Sequence, residues 1–132
     1  MTIRQQLLRQ ARRFMTTGFL ATGLHAVTVM GLVTLIVPAP SQVVANGVAF
    51  IVANVFSYVV NSLWSFTAPL QGVRFVKFLT VSVIGFLGTL LIAYLAERMG
   101  IAPLGGIVLV VCVMTPISFG LHRFWTFRGA AG

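Results

Sequence analysis

The chain is expected to be an all-α membrane protein, with four transmembrane helices arranged as two helical hairpins that repeat in parallel and both termini in the cytoplasm. Three observations lead there. The 132 residues are 58% hydrophobic with a mean hydropathy of +1.02, too apolar for an ordinary soluble domain. Phe14–Val37, Ser41–Val73, Phe78–Ala96 and Pro103–Leu121 contain no Asp, Glu, Lys or Arg. Eight of the nine Lys and Arg residues fall on one side of those blocks: Arg4, Arg9, Arg12, Arg13, Arg74, Lys77, Arg123 and Arg128. The opposite side carries only Glu97 and Arg98, so the positive-inside rule places both termini and the central loop in the cytoplasm.

Each block supplies the roughly 20 apolar residues that a hydrocarbon core about 30 Å thick requires. Helices satisfy their own backbone hydrogen bonds there, and no block alternates as the strands of a barrel would. Residues 1–13 form a basic arm with Ile3, Leu7, Leu8 and Ala11 at helical spacing. They read either as an amphipathic helix on the cytoplasmic surface or as a disordered tail. The first apolar block is longer than the 7–15 residues of a signal peptide's apolar region and reads as a retained helix over 14–37. Pro38-Ala39-Pro40 turns the chain. A second helix is expected over 41–64, a cytoplasmic linker over 67–73, a third helix over 74–97 and a fourth over 104–125, with a turn from Gly100 to Pro103. The small residues Gly129 to Gly132 are expected to fray.

The halves of this single membrane domain, 14–66 and 74–128, resemble each other. A shift of 61 positions lays Arg13-Phe14 on Arg74-Phe75, Ser57 on Ser118, Tyr58 on Phe119, Trp64 on Trp125 and Phe66 on Phe127. Each half holds two helices, so both copies enter the membrane in the same direction. Ala45, Ala49, Ala53 and Ser57 recur every four residues, a stripe that lets another backbone approach closely, with Gly85 and Gly88 as facing candidates. Pro116 interrupts the fourth helix and is a candidate hinge.

Polar groups inside a membrane are costly and point to function. Asn54, Ser57, Tyr58 and Asn61 share one face of the second helix, and Thr115, Ser118 and His122 occupy matching positions of the fourth. A polar crevice between these helices, or simple interhelical bonding, accounts for them. His25 lies mid-helix between Thr22 and Thr28, and Asn46 lies near the far end of the second helix. Trp64, Phe66, Phe124, Trp125 and Phe127 form an interfacial belt or a surface for stacking on a sugar. Arg123 beside them can grip a phosphate with its fork.

Several classes are excluded. The cations form no stripe along a soluble helix, which argues against nucleic acid. Cys112 stands alone, and with two separated His no metal site is expected. The chain has no Ser/His/Asp set, no paired carboxylates and no phosphate loop, so neither an enzyme nor a cofactor is expected. The sole acid is Glu97, which argues against proton-coupled export of a cation.

The chain resembles the GtrA-like family over about 12–128. The residues that carry the resemblance are Arg13-Phe14-Met15-Thr16-Thr17-Gly18, then Ala45-Asn46, then two endings of the Asn-Arg-aromatic-x-Phe kind. Those endings are Asn61-Ser62-Leu63-Trp64-Ser65-Phe66 and His122-Arg123-Phe124-Trp125-Thr126-Phe127, where Ser62 and His122 depart from the pattern. The resemblance implies a flippase that moves a polyprenyl-phosphate-linked sugar, such as undecaprenyl-phosphate glucose, to the outer leaflet of a bacterial inner membrane for envelope polysaccharide modification. On that reading Arg123, Arg74, Lys77, Arg13 and Arg128 meet the phosphate. Asn54, Asn61, Tyr58, His122, Trp64, Trp125, His25 and Asn46 meet the sugar. A homodimer is expected to enclose the path. Two other roles fit the resemblance or the composition: a membrane adaptor that recruits a glycosyltransferase, and a small-molecule exporter.

Overall fold

A computed structural model describes residues 1–129, apart from the side chains of Gln42, Val43 and Pro103; the fraying expected beyond Gly129 concerns residues outside that range. The described residues are helical throughout, with short turns between: α1 (Ile3–Leu35), α2 (Gln42–Val60), α3 (Gly72–Arg98) and α4 (Pro103–Leu121). A π-helical turn extends α2 over Asn61–Ser65, and another extends α4 over His122–Thr126. Four segments are long and apolar enough to cross a membrane: Ile3–Leu35, Val44–Ser65, Gly72–Arg98 and Leu104–Thr126.

The basic arm is no separate element. It continues without a break into α1, giving a 33-residue helix. The start is set by a capping box: the Gln5 amide donates to Thr2 Oγ1 at 3.2 Å, and the Thr2 amide donates to Gln5 Oε1 at 2.9 Å. No proline stands between that cap and Leu35, so nothing stops the ladder. At 1.5 Å per residue the helix is about 50 Å long, beyond the ~30 Å hydrocarbon thickness, which leaves room for the arginine-bearing end to lie outside it. Ser41 starts α2 by accepting from the Val44 amide at 3.3 Å. At the far end of α3 the Ile101 amide donates to the Ala96 carbonyl and the Gly100 amide to the Glu97 carbonyl, the Schellman arrangement, with Gly100 at φ 73°.

The chain divides into two compact units, one through Pro69 and one from Leu70 onward. In the first, α2 packs on α1 through the small-residue stripe, in which Ala45 and Ala49 are fully buried and Ala53 nearly so. The partner of that stripe is therefore within the chain. In the second, α4 packs on α3. Gly85 and Gly88, candidates to face the alanine stripe, instead meet α4: a Cβ added at Gly85 would lie 3.6 Å from Ser118 Oγ, and one at Gly88 would lie 2.8 Å from Met114 Cε. Most long apolar side chains, such as Phe19, Val27, Phe86 and Leu104, point outward, as expected where lipid replaces water. Pro116 lies within α4 and is exposed; it has no N–H to give the Cys112 carbonyl.

Candidate functional site

Each hairpin closes at one end through the same kind of contact. In the first, Arg13 Nη1 donates to the Trp64 carbonyl at 2.7 Å. In the second, Arg74 Nε donates to the Thr126 carbonyl at 3.3 Å. Both acceptors lie in π turns, where a helix runs out of partners for its last carbonyls and a cation is favourable. The turns themselves match: the Phe66 amide bonds the Asn61 carbonyl at 2.9 Å, and the Phe127 amide bonds the His122 carbonyl at 2.8 Å. Inside each turn a side-chain bond spans four residues. Ser65 Oγ donates to Asn61 Oδ1 at 2.8 Å, and His122 Nδ1 and Thr126 Oγ1 share a bond of 3.0 Å. All these positions are related by the same shift of 61 found in the sequence, apart from the Arg74 acceptor, which is one residue further along.

Around the first clamp lies an open pocket of about 680 Å³ lined by Arg12, Arg13, Met15, Thr16, Phe19 and Trp64. The Arg13 guanidinium carbon sits 5.1 Å from the centre of the Trp64 ring, and 40% of Trp64 is exposed. One mouth thus offers two guanidinium groups, an indole face and an apolar floor. Arg12 and Thr16 belong to it, although in the sequence Arg12 reads as one of the orientation charges and Thr16 only as part of the Arg13–Gly18 stretch. The available signal was spacing: Thr16 follows Arg12 by four positions and Arg13 by three, so each arginine neighbours it on the helix surface.

In the second hairpin Lys77 Nζ lies 5.7 Å from the centre of the Trp125 ring, and the Arg123 guanidinium carbon 5.8 Å from the Phe124 ring. Arg128 is exposed beyond the turn. His122 is 4% exposed and stacks on Phe78, ring centres 4.3 Å apart at 19°. Asn61 is 1% exposed, and its amide nitrogen donates to Ser57 Oγ at 3.1 Å. Asn61 and His122 therefore sit inside the closed ends of the hairpins, with Tyr58 also buried. Ser62 is fully buried, and its hydroxyl has no hydrogen-bond partner.

A smaller cavity of about 290 Å³ lies between α1 and α2, lined by Ala21, Thr22, His25, Phe50, Ala53, Asn54 and Ser57. His25 Nε2 donates to Asn46 Oδ1 across the two helices at 3.1 Å. Asn54 gives its amide to the Phe50 carbonyl at 2.8 Å, and Thr22 its hydroxyl to the Gly18 carbonyl at 2.9 Å. The structure thus brings His25, Asn46, Asn54 and Ser57 together within one hairpin. No group of three or more His, Cys, Asp or Glu among the described residues is placed to hold a metal.

The chain is 29% identical over 126 residues to the prophage bactoprenol-linked glucose translocase homolog of Escherichia coli (strain K12), covering 94% of this chain and 99% of that one. It is 28% identical to the bactoprenol-linked glucose translocase of Shigella phage SfX and 26% identical to that of Shigella phage SfII, each over 126 residues with the same coverage. No solved structure matches it. The family described as GtrA/DPMS, transmembrane domain, matches residues 13–127, from the arginine that closes the first hairpin to the phenylalanine that ends the second π turn, and the chain belongs to that family.

Proposed function

We propose that this chain translocates a polyprenyl-phosphate-linked sugar, such as undecaprenyl-phosphate glucose, from the cytoplasmic to the outer leaflet of a bacterial inner membrane, where the sugar modifies an envelope polysaccharide. The observation that carries the reading is the mouth at the first clamp. Its contents correspond to the three parts of such a lipid. Arg12 and Arg13 suit a phosphate diester, the exposed Trp64 face suits a sugar ring, and Met15 and Phe19 suit the first isoprene units. The relatives' names as translocases of bactoprenol-linked glucose support it. The function is transport, with no bond made or broken.

On this reading both termini and the loop between the hairpins are cytoplasmic, because eight of nine cations lie on that side. The two hairpins are parallel copies of one unit. Lys77 with Trp125, and Arg123 with Arg74 and Arg128, form the second copy's version of the rim, and Pro116 lets α4 bend. Two chains pair to line a path, and a membrane glycosyltransferase that makes the lipid docks nearby.

The test is reconstitution of the chain alone in liposomes loaded with undecaprenyl-phosphate glucose, with the sugar's accessibility followed from each side. Movement above that of empty liposomes is expected. No movement, together with capture of a glycosyltransferase from the same membranes, makes the chain an adaptor. Movement driven by a proton gradient and blocked by lipophilic cations makes it an exporter of small molecules.

A further inference from the structure

We infer that the first hairpin alone carries a ladder of polar groups over most of the membrane depth, and that His25, held by Asn46 at the edge of the cavity it lines, marks a station for an uncharged sugar ring, separate from the phosphate-binding rim; this rests on the translocase reading above.

Depth separates the two places. His25 stands twelve positions after Arg13 along α1, about 18 Å at 1.5 Å per residue. A sugar and the phosphate it is joined to are bonded neighbours, so one head group cannot fill both places at once. Along α2 the polar groups follow one another from the far end to the clamp: Asn46 bonded to His25, then Asn54 and Ser57 on the cavity, then Asn61 with Ser65. From Asn46 to Asn61 is fifteen residues, about 22 Å of a core about 30 Å thick.

The second hairpin has only the half of this ladder nearest its clamp. Thr115, Ser118, His122 and Thr126 stand where the first hairpin has Asn54, Ser57, Asn61 and Ser65. Beyond them it turns apolar: Phe86 stands in the place of His25, Ile107 in that of Asn46 and Val83 in that of Thr22. The space is also taken. Ala53, on the wall of the 290 Å³ cavity, has Met114 as its counterpart, and the Met114 methyl lies where a Cβ on Gly88 would collide with it.

The cavity's chemistry names its ligand. Thr22, His25, Asn54 and Ser57 bring donors and acceptors, and no Asp, Glu, Lys or Arg is among the lining residues. An ammonium would require a carboxylate there, and an anion a cation. A ring of hydroxyls, each both donor and acceptor, meets this set without leaving a charge unpaired. The volume is at the small end for ligand cavities and fits a single ring better than a chain of sugars.

The experiment gives the first hairpin the second hairpin's residues. The double variant His25→Phe with Asn46→Ile is reconstituted with undecaprenyl-phosphate glucose, beside His25→Gln, Asn46→Leu and Phe86→Leu. Lipid held after mild extraction is read by mass spectrometry, and movement by oxidation of the sugar with a membrane-impermeant reagent. The double variant is expected to hold the lipid at the wild-type level and move it at least about tenfold more slowly, the effect of about one lost polar contact on a barrier. Asn46→Leu is expected to slow movement in the same direction, and it gives the reading if the double variant does not fold. His25→Gln, which keeps a donor, is expected to move the lipid faster than the double variant, and Phe86→Leu, outside the site, to stay within about threefold of wild type. Wild-type speed in a folded double variant, or equal slowing by Phe86→Leu, overturns the inference while the translocase reading stands. A wild-type chain that neither holds nor moves the lipid overturns both.

Discussion

Arg13 holds the carbonyl of Trp64 at 2.7 Å while lying 5.1 Å from the centre of the same residue's indole, so one side chain closes the first hairpin and prepares its mouth. The bond caps a π turn whose final carbonyls have run out of ladder partners. The ring contact fixes the indole face beside the guanidinium. An arginine carries five N–H donors in a rigid fork, and the Trp64 carbonyl takes one. The group is thus held in place without being used up, a suitable state for meeting a phosphate.

Arg13→Ala should therefore weaken retention of the phosphoprenyl lipid by about ten- to a hundredfold, the effect of losing one charged hydrogen bond worth ~1.5–3 kcal/mol. Arg13→Lys keeps the charge and loses the fork, and should fall between the two. Lipid titration into the chain in nanodiscs measures this. Equal retention by all three would remove the rim from the mechanism.

The two serines of the first π turn should respond with opposite signs. Ser65 Oγ donates to Asn61 Oδ1 in a buried chain that continues to Ser57, so Ser65→Ala leaves an acceptor unpaired and should destabilise by about 1 kcal/mol. Ser62 Oγ is buried without a partner, and Ser62→Ala removes that desolvation penalty, so it should be neutral or stabilising. Denaturation in mild detergent followed by tryptophan fluorescence compares them. A loss in Ser62→Ala equal to that in Ser65→Ala would show that Ser62 has a partner.

The alanine stripe gives a packing prediction. Ala49 has no exposed surface and lies on the face of α2 that meets α1, so Ala49→Leu should cost ~1–3 kcal/mol by overpacking. Val110 is its counterpart in the second hairpin and is only partly buried, so Val110→Leu should cost less. The same denaturation assay reads both. Equal losses would mean that the two hairpins pack alike at this level.

The four spans were legible in the sequence because length and lack of charge are local properties, and a bilayer leaves a chain little choice at such stretches. The paired endings were legible because they repeat at a fixed spacing. The π turns were not, because their hydrogen bonds depend on an arginine arriving from about fifty residues away. Arg and Gln between the apolar positions made the arm look like a separate surface element, although Thr2 and Gln5 already spelled the cap that starts α1. His25 and Asn46 were each visible as a polar residue in an apolar run. Their pairing was not, because they lie 21 positions apart on different helices. Arg12 was hidden by its neighbours: in a cluster of cations that set orientation, nothing local distinguishes one that also lines a mouth.

The turn between the last two helices carries the final prediction. Gly100 holds φ 73° so that its own amide and that of Ile101 can reach back to the Glu97 and Ala96 carbonyls, which would otherwise end α3 unpaired. A Cβ there meets no neighbouring atom, so crowding is not the issue; the cost of any other residue is the left-handed backbone itself. Gly100→Ala should lose ~1–2 kcal/mol. Gly100→Asn should lose less, because asparagine visits this conformation more readily. The loss should appear as a lower denaturation midpoint with little change in lipid retention, because the turn belongs to the second hairpin and the mouth around Arg13 to the first. If Gly100→Ala were as stable as wild type, the Schellman turn would not be what ends α3.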